Sequence, residues 1–524
     1  MDTKKVFLSD KYSVKVKHKN GDIKDLDVYV TLEQNKLGNY IKIPDEVYRE
    51  YDGIEHGTNV TKAYFVSFET EDAVSLEVKL PDNTTSAVIK PLSYNIDCKI
   101  ENNVAYFELK PGQFATIETD GSVFGELRIF CNKKKQMPQN RKNKIIFTKG
   151  VYTAENCEYI RMNEHGVPVM DNIPDDTLIY VNDGAVVNAS IYLEDAHHIT
   201  IAGSGMISTI DRCYDAENDF NAEILWGGFR YYALPSIFMK RGCYDILIED
   251  VILNCEFRGI TVRNSENIIF RDMKIFTSSV NGDGINCSNT RHVLVEGCYI
   301  RSSDDCFCMY NAGDSIPTLS DDDYEYMRTI SGDAEVRNCI LIANARPFVF
   351  GGHATRGTNP RCLIEDIYVH DCEIMATPGG LFITTPELAS YWRGFMRLLS
   401  QSEQIVRNIT FENIIFNVTN GYLGKLIHID VRSEKEASYS ESKGYRIENI
   451  TFRNIKAIGC CNDLLPSLIK CREKESDDDN CSVSNISFEN ITIGEKKLAY
   501  EDIIIEGNVE NVSFCKKTAS NADI

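Results

Sequence analysis

The stretch Ile268-Ile269-Phe270-Arg271-Asp272-Met273 decides the fold, because the same pattern returns along the chain. It stands as Ile246-Leu247-Ile248-Glu249-Asp250-Val251 before it and as Val293-Leu294-Val295-Glu296-Gly297-Cys298 after it. Further copies are Cys362-Leu363-Ile364-Glu365-Asp366-Ile367, Ile409-Thr410-Phe411-Glu412-Asn413-Ile414, Ile450-Thr451-Phe452-Arg453-Asn454-Ile455 and Ile486-Ser487-Phe488-Glu489-Asn490-Ile491. Each is a short alternating strand, a turn residue, then the start of another strand. A self-similar unit of this size signals a solenoid. β-branched strands without intervening amphipathic helices point to a right-handed parallel β-helix. Alternate residues would fill its interior and turn asparagines would stack from coil to coil.

Working outward, the repeat begins near Ile145-Ile146-Phe147 and runs to about residue 500. The first 140 residues show strand-like stretches without a repeat: Tyr12–Val16, Leu26–Thr31, Ala63–Phe68, Val74–Leu80 and Leu127–Cys131. Asn-Gly, Pro-Asp-Asn and Asp-Gly turn signals separate them, and a β-sandwich is the natural arrangement. Polar, basic Asn132–Lys142 reads as the linker. The expected plan is therefore all-β: residues 1–142 as a β-sandwich-like domain with its linker, and residues 143–524 as the β-helix. Inserts interrupt the repeat at Asp211–Ala233, Ala312–Asp333, Pro386–Gln404 and Val431–Gly444. Long loops on a rigid solenoid are expected to wall a binding cleft.

Composition narrows the function. A net charge of −22 argues against nucleic acid as a partner, since phosphate contacts need a basic face. It argues more weakly against a polyanionic glycan, because a local basic cleft can override the average. No apolar run is long enough for a membrane span. The opening Met1–Lys11 has no apolar core of a secretory leader, so a cytoplasmic location is expected. Many of the 18 cysteines, among them Cys287, Cys298, Cys308, Cys339, Cys362 and Cys372, fall at apolar strand positions. There they act as small buried hydrophobes. The Asn-x-Ser/Thr triplets at Asn408, Asn449, Asn485 and Asn490 coincide with the repeat's turn and read as turn residues, not glycan acceptors.

Three carboxylates carry the chemistry. Asp283 sits in Asn281-Gly282-Asp283-Gly284, and the pair Asp304-Asp305 follows 21 and 22 residues later. If each repeat is one coil, Asp283 lies beside the pair at an inter-strand spacing of about 4.8 Å. Clustered acids can protonate a glycosidic oxygen and activate water. Two adjacent ionised carboxylates repel, so one keeps its proton, as an acid catalyst must. In a regular strand Asp304 and Asp305 would face opposite sides; Ser302-Ser303 before them suggest a turn that lets both reach the cleft. Competing readings are a solvated acidic turn and a calcium site. The denser run Asp321-Asp322-Asp323 reads as a solvated loop.

The block Asn281-Gly282-Asp283-Gly284-Ile285-Asn286-Cys287 followed by Ser303-Asp304-Asp305-Cys306-Phe307 resembles the polygalacturonase family, glycoside hydrolase family 28. Gly203–Asp211 upstream and Phe350-Gly351-Gly352-His353 downstream extend the resemblance to roughly residues 144–500. It implies an inverting, polygalacturonase-like glycosidase with Asp304 as general acid. Asp283 and Asp305 would hold the water, and His353 would support the acid or bind sugar. Asn281 comes with the motif as a substrate contact. No cofactor and no metal is implied; the partner is an oligo- or polysaccharide, and the oligomeric state is left open. Two departures stand out. His353 comes 48 residues after Asp305, so an insert must loop out, and the family's Arg-Ile-Lys element, which binds a uronate carboxylate, has no counterpart near Leu381–Thr385. Arg356, Arg393 or Arg397 could replace it. Trp226 and Trp392 could stack on sugar rings. The two-domain plan is also similar to the dextranase family, glycoside hydrolase family 49, so a neutral α-glucan is an alternative substrate. A non-catalytic carbohydrate-binding β-helix is an alternative from a different class. A polysaccharide lyase is a further one.

Overall fold

The computed structural model describes residues 8–42, 57–122, 124–213, 234–279, 281–311, 330–354, 362–375, 394–400, 404–418, 424–433 and 443–515. Among the described residues the regular structure is β-strand, and the helical segments are short 3₁₀ turns.

From Asn143 onward the chain winds as a parallel β-helix. One face is a twelve-stranded sheet that includes Ile260–Arg263, Ile285–Ser288, Phe307–Asn311, Phe348–Ala354, Gly394–Ser400 and Lys425–Val431. The rest of each coil belongs to a 22-stranded sheet. In that sheet most coils give two strands, such as Glu266–Arg271 and Lys274–Thr277, and two later coils give one long strand each, Gln404–Val418 and Arg446–Gly459. Inward side chains fill the coil. Phe411, Phe452, Phe488 and Phe514 stack in one file with centroids 5.3, 5.4 and 5.0 Å apart, close to the spacing of the coils that carry them. The six cysteines expected to act as buried hydrophobes are free and buried, with Cys308 packed against Tyr310 and Val349 on the outer face of the twelve-stranded sheet.

The turn residues explain the repeat. Two corners of each coil require a left-handed backbone. At one corner the residues are Asp245, Asn267, His292, Asp333, Asp366, Asn408, Asn449, Asn485 and Asn511, with φ between 54° and 59°. Asn and Asp tolerate this region better than other non-glycine residues. They also bond along the column. Asn449 donates to Asn408 at 3.1 Å, Asn485 to Asn449 at 2.9 Å and Asn511 to Asn485 at 3.1 Å. A second ladder runs from Asn490 to Asn454 at 2.8 Å, to Asn413 at 3.0 Å and to Asp371 at 3.0 Å. The Asn-x-Ser/Thr asparagines are members of these ladders.

Two five-stranded sheets precede the β-helix. The first is antiparallel and contains Ser13–Lys17, Val74–Lys79 and Val104–Leu109. The second contains Tyr29–Lys42, Gly57–Thr70, Leu127–Lys133, Gln113–Thr119 and Ala87–Lys90, with one parallel pair between Gly57–Thr70 and Leu127–Lys133. Val14, Val16, Leu76, Val66 and Ile129 pack between the sheets. The outer face of the second sheet carries Leu32, Phe65, Phe114 and Phe130, which pack onto Phe276, Tyr299 and Ile342 of the β-helix. Phe65 stacks on Phe276 with centroids 5.0 Å apart. This second sheet is covered on both faces, which is why Leu127–Cys131 has no solvent side and even Arg128 within it is fully buried.

Two expectations are corrected. Leu26–Thr31 is not one strand: Ile23–Leu26 ends in the first sheet and Tyr29 opens the second. The linker segment begins two residues late, because Asn132 and Lys133 complete the strand from Leu127. Two of the remaining basic residues are pinned to the β-helix, Lys135 to Asp250 and Asp272, each at 2.9 Å, and Arg141 to Thr200 at 2.9 Å, whereas Lys134 bonds Glu71, just after the strand Gly57–Thr70, at 3.0 Å.

Candidate active site

The three aspartates gather at the entry edge of the twelve-stranded sheet. Ile285 pairs with Phe307 in parallel register, so Asp283 and Asp305, each two residues earlier, take equivalent places on consecutive coils. Gly284 N donates to Asp305 O at 2.7 Å, and Asp304 N to Gly282 O at 3.2 Å. The two glycines allow this approach. A Cβ on Gly282 would lie 2.2 Å from Ser303 Oγ, and one on Gly284 would lie 2.6 Å from Cys306 O. Neither Asp304 nor Asp305 is in a strand; both lie in the bend between Tyr299–Ser302 and Phe307–Asn311. Ser302 Oγ bonds Asp304 O at 3.0 Å and Ser303 N bonds Thr277 Oγ1 at 2.9 Å, which holds the bend.

The same register continues on both sides. Ile260 pairs with Ile285 and Phe307 with Phe348. Four coils therefore present Arg258, Asp283, Asp305 and Arg346 in one column, cation, anion, anion, cation. Arg258 Nε lies 3.2 Å from Asp283 Oδ2, and Asn286 Nδ2 donates to the same oxygen at 2.6 Å. Arg346 forks onto Asp305, Nε to Oδ1 at 2.7 Å and Nη2 to Oδ2 at 2.9 Å. Tyr310 Oη adds a bond to Asp305 Oδ2 at 3.3 Å.

Asp304 has a different environment. Its side chain is 16% exposed, and its ion-pair partner, Arg346 Nη2, is 3.8 Å away. Burial, then the neighbouring charges of Asp305 and Asp283, hold its carboxyl well above the usual range. Burial also raises Asp305, and the Arg346 fork opposes that rise. Carboxylate oxygens of Asp283 and Asp305 and Sγ of Cys308 lie within 4.8 Å of one another. These donors could hold a divalent cation in principle. The two guanidinium groups already compensate the carboxylates, and burial raises the Cys308 thiol far above the range where it becomes a thiolate ligand.

The other expected residues are placed as follows. Asn281 makes a left-handed turn, φ 55°, ahead of Asp283, and its carbonyl accepts from Arg258 Nε at 3.3 Å. The residue that faces Asp305 on the next coil is Arg346, not His353. His353 lies seven residues on, near the end of Phe348–Ala354, where Ala354 pairs with Asn311. The 48-residue separation includes the insertion at 312–329, which lies outside the described residues. Trp226, Arg356, Trp392 and Arg393 lie outside the described residues. Arg397 is buried on the strand Gly394–Ser400 and pairs with Val349, which pairs with Cys308. It therefore shares the sheet face of Asn286 and Cys308, with His428 on the following coil.

Arg258 and Arg346 carry no motif and were missed by sequence reading. Counting one coil back from Asp283 would have found Arg258. The insertion after Asn311 hides the count to Arg346.

Residues 179–320 match the model of glycosyl hydrolases family 28. The matched stretch contains all three aspartates and agrees with the resemblance their motifs suggested. Polygalacturonase QRT2 of Arabidopsis thaliana is 21% identical over 218 residues, 41% of this chain and 41% of that protein. Among solved structures, Dex49A from Penicillium minioluteum superposes with a TM-score of 0.58 at 13% identity, covering 96% of this chain and 94% of that one. A polygalacturonase from Erwinia carotovora ssp. carotovora covers 73% of this chain and 99% of its own at 11% identity, with a TM-score of 0.47. The likeness to Dex49A is one of fold, and it spans the N-terminal sheets as well as the β-helix.

Proposed function

We propose that the chain is an inverting glycoside hydrolase acting on an oligo- or polysaccharide. The observation that carries this reading is the unequal treatment of three clustered aspartates. Asp283 and Asp305 each have a guanidinium partner and together hold the attacking water. Asp304 has no such grip, keeps its proton and donates it to the glycosidic oxygen. An acid and a base with separated pKa values are what glycosidic cleavage requires. Water attacks the anomeric carbon, the bond to the leaving oxygen breaks, Asp304 supplies that oxygen's proton, and the carboxylate pair takes the proton of water. The anomeric centre is inverted because water enters opposite the leaving group.

The acids sit between the long interruptions of the coil. The chain leaves the 22-stranded sheet at Met375 and rejoins the twelve-stranded one at Gly394, on the edge where Asp283 and Asp305 lie. Arg397, two strands beyond Asp305 on the same sheet, is fully buried and presents no exposed cation to an acidic sugar.

The test is incubation with pectic, dextran-type and other α-linked oligosaccharides, with reducing ends and anomeric configuration followed by NMR. Release of the inverted anomer, abolished in Asp304→Asn with the fold intact, is the expected result. Full activity of Asp304→Asn overturns the assignment. Binding without cleavage across the panel would favour a carbohydrate-binding module.

A further inference from the structure

A cavity of about 940 Å³ lies away from the aspartates, between the N-terminal sheets and one corner of the β-helix. Its helix side follows the turn column from Asp272 through Gly297, Asn338, Asp371, Asn413 and Asn454 to Asn490. Seven coils at about 4.8 Å per step make a trough about 29 Å long. Pro91, Tyr94 and Phe114 form the opposite wall. The acids border the twelve-stranded sheet and share no residue with this trough.

Three features define what fits it. First, hydrogen-bonding groups recur once per coil. Asn413, Asn454 and Asn490 each donate one N–H to the preceding coil. A primary amide has a second N–H and a carbonyl with two lone pairs, so each retains bonding capacity. Second, Glu373 lines the cavity and is 6% exposed; Asn417 satisfies its Oε1 at 2.5 Å, and its Oε2 has no hydrogen-bond partner. A buried carboxylate oxygen without a donor is costly and calls for one. Third, the charges are nearly balanced. Lys133, Arg271 and Lys456 face Asp272, Glu296, Asp371 and Glu373, and Arg271 is already paired with Glu296 at 3.1 Å. Such a lining gives a polyanion no net attraction. Periodic donors and acceptors on one wall and an aromatic ring on the other suit a chain of hydroxyl groups with apolar ring faces.

We propose that this trough is a second, non-catalytic site that binds a neutral oligosaccharide extended along the coils, with a sugar hydroxyl donating to Glu373 Oε2 and a ring packed on Tyr94. The site is independent of hydrolysis. It is tested on the full-length Asp304→Asn chain, so no probe is consumed, by calorimetry with maltohexaose, isomaltohexaose, cellohexaose and, as the charged control, hexagalacturonate. At least one neutral hexamer binds, and Tyr94→Ala and Glu373→Gln each weaken it about tenfold. Lys456→Ala, at an exposed position, weakens it as well without a folding defect. The proposal is overturned if no neutral hexamer binds, or if binding is indifferent to all three substitutions. It is also overturned if hexagalacturonate alone responds to them. Loss of hydrolytic activity in the parent protein has no bearing on these outcomes, so the two readings fail separately.

Discussion

Arg346 holds both oxygens of Asp305 in a planar fork, from a residue 41 positions later in the chain that lies on the adjacent coil. Neighbouring Asp304 meets the same guanidinium only at 3.8 Å, and burial holds its carboxyl well above the usual range.

Removing the fork alters the pH profile. The rate should fall at low pH as Asp305 is protonated and at high pH as Asp304 loses its raised-pKa proton. Arg346→Met removes a cation that lowers both groups, so both limbs move to higher pH. The maximal rate falls about 100-fold or more, in line with loss of general acid–base function. Arg346→Lys keeps the charge without the fork and recovers part of the rate. An acidic limb that stays in place in Arg346→Met contradicts this role.

Glu33 couples the N-terminal sheets to the β-helix. It is buried and accepts from Arg128 at 2.8 Å, from Arg301 of the β-helix at 3.3 Å and from Gly125 N at 2.7 Å. Burial alone would raise its pKa, but Arg128 and Arg301 overcome this and leave it below 4.5. Nearby Glu126 is pushed by burial up to about 8, so Glu33 carries the compensating charge at neutral pH. Glu33→Gln leaves two buried guanidiniums short of an anion and should cost about 3–5 kcal/mol in chemical denaturation. For a depressed carboxyl the stabilisation is present above the unfolded pKa and disappears as pH falls through the folded one. The gap between wild type and Glu33→Gln should therefore narrow below about pH 4.5.

The asparagine ladder makes a graded prediction. Asn449 combines a φ of 59° with bonds to Asn408 and Asn485. Asn449→Ala adds the left-handed strain of about 1–2 kcal/mol to the loss of two bonds of about 0.5–1.5 kcal/mol each. Asn449→Gly loses the bonds but not the conformation. Urea titrations should rank wild type above Gly and Gly above Ala; equal Gly and Ala variants would exclude backbone strain as the cause.

His370 gives the β-helix a pH response. Its Nδ1 meets Asp371 at 2.6 Å and its Nε2 meets Glu335 at 3.0 Å, while its ring stacks on Tyr368 with centroids 4.2 Å apart. Arg337 and Glu412 occupy the same place on the adjacent coils. Burial lowers its pKa, but Asp371 and Glu335 outweigh burial and raise it above 6.5. A raised histidine stabilises fully below its unfolded pKa and loses that contribution as pH rises through the folded one. The difference in Tm between wild type and His370→Gln should shrink as pH increases from about 6 to 8.5. A pH-independent difference would contradict the ion pairing.

Much of the architecture was legible because its causes are local. A strand of alternating Ile, Val and Phe followed by Asn or Asp specifies a pleat and then a left-handed corner, so the coil could be read from residues 246–251 or 450–455 alone. Asp283 and the Asp304-Asp305 pair were legible for the same reason, since no insertion separates their coils. The strand break between Leu26 and Tyr29 was not, because Leu26, Val28 and Val30 continue one alternating pattern and only pairing partners assign Leu26 and Val30 to different sheets.

What the sequence by itself determined is the β-helix, its turn asparagines and three aspartates one coil apart, because each depends on contacts within or between consecutive repeats. What only the tertiary structure decided is the company the aspartates keep. Arg346 reaches Asp305 across an interrupted coil, and Glu33 meets Arg301 across 268 residues. Those contacts follow from the register of stacked coils and the docking of one sheet on another, and the spacing of residues along the chain does not encode either.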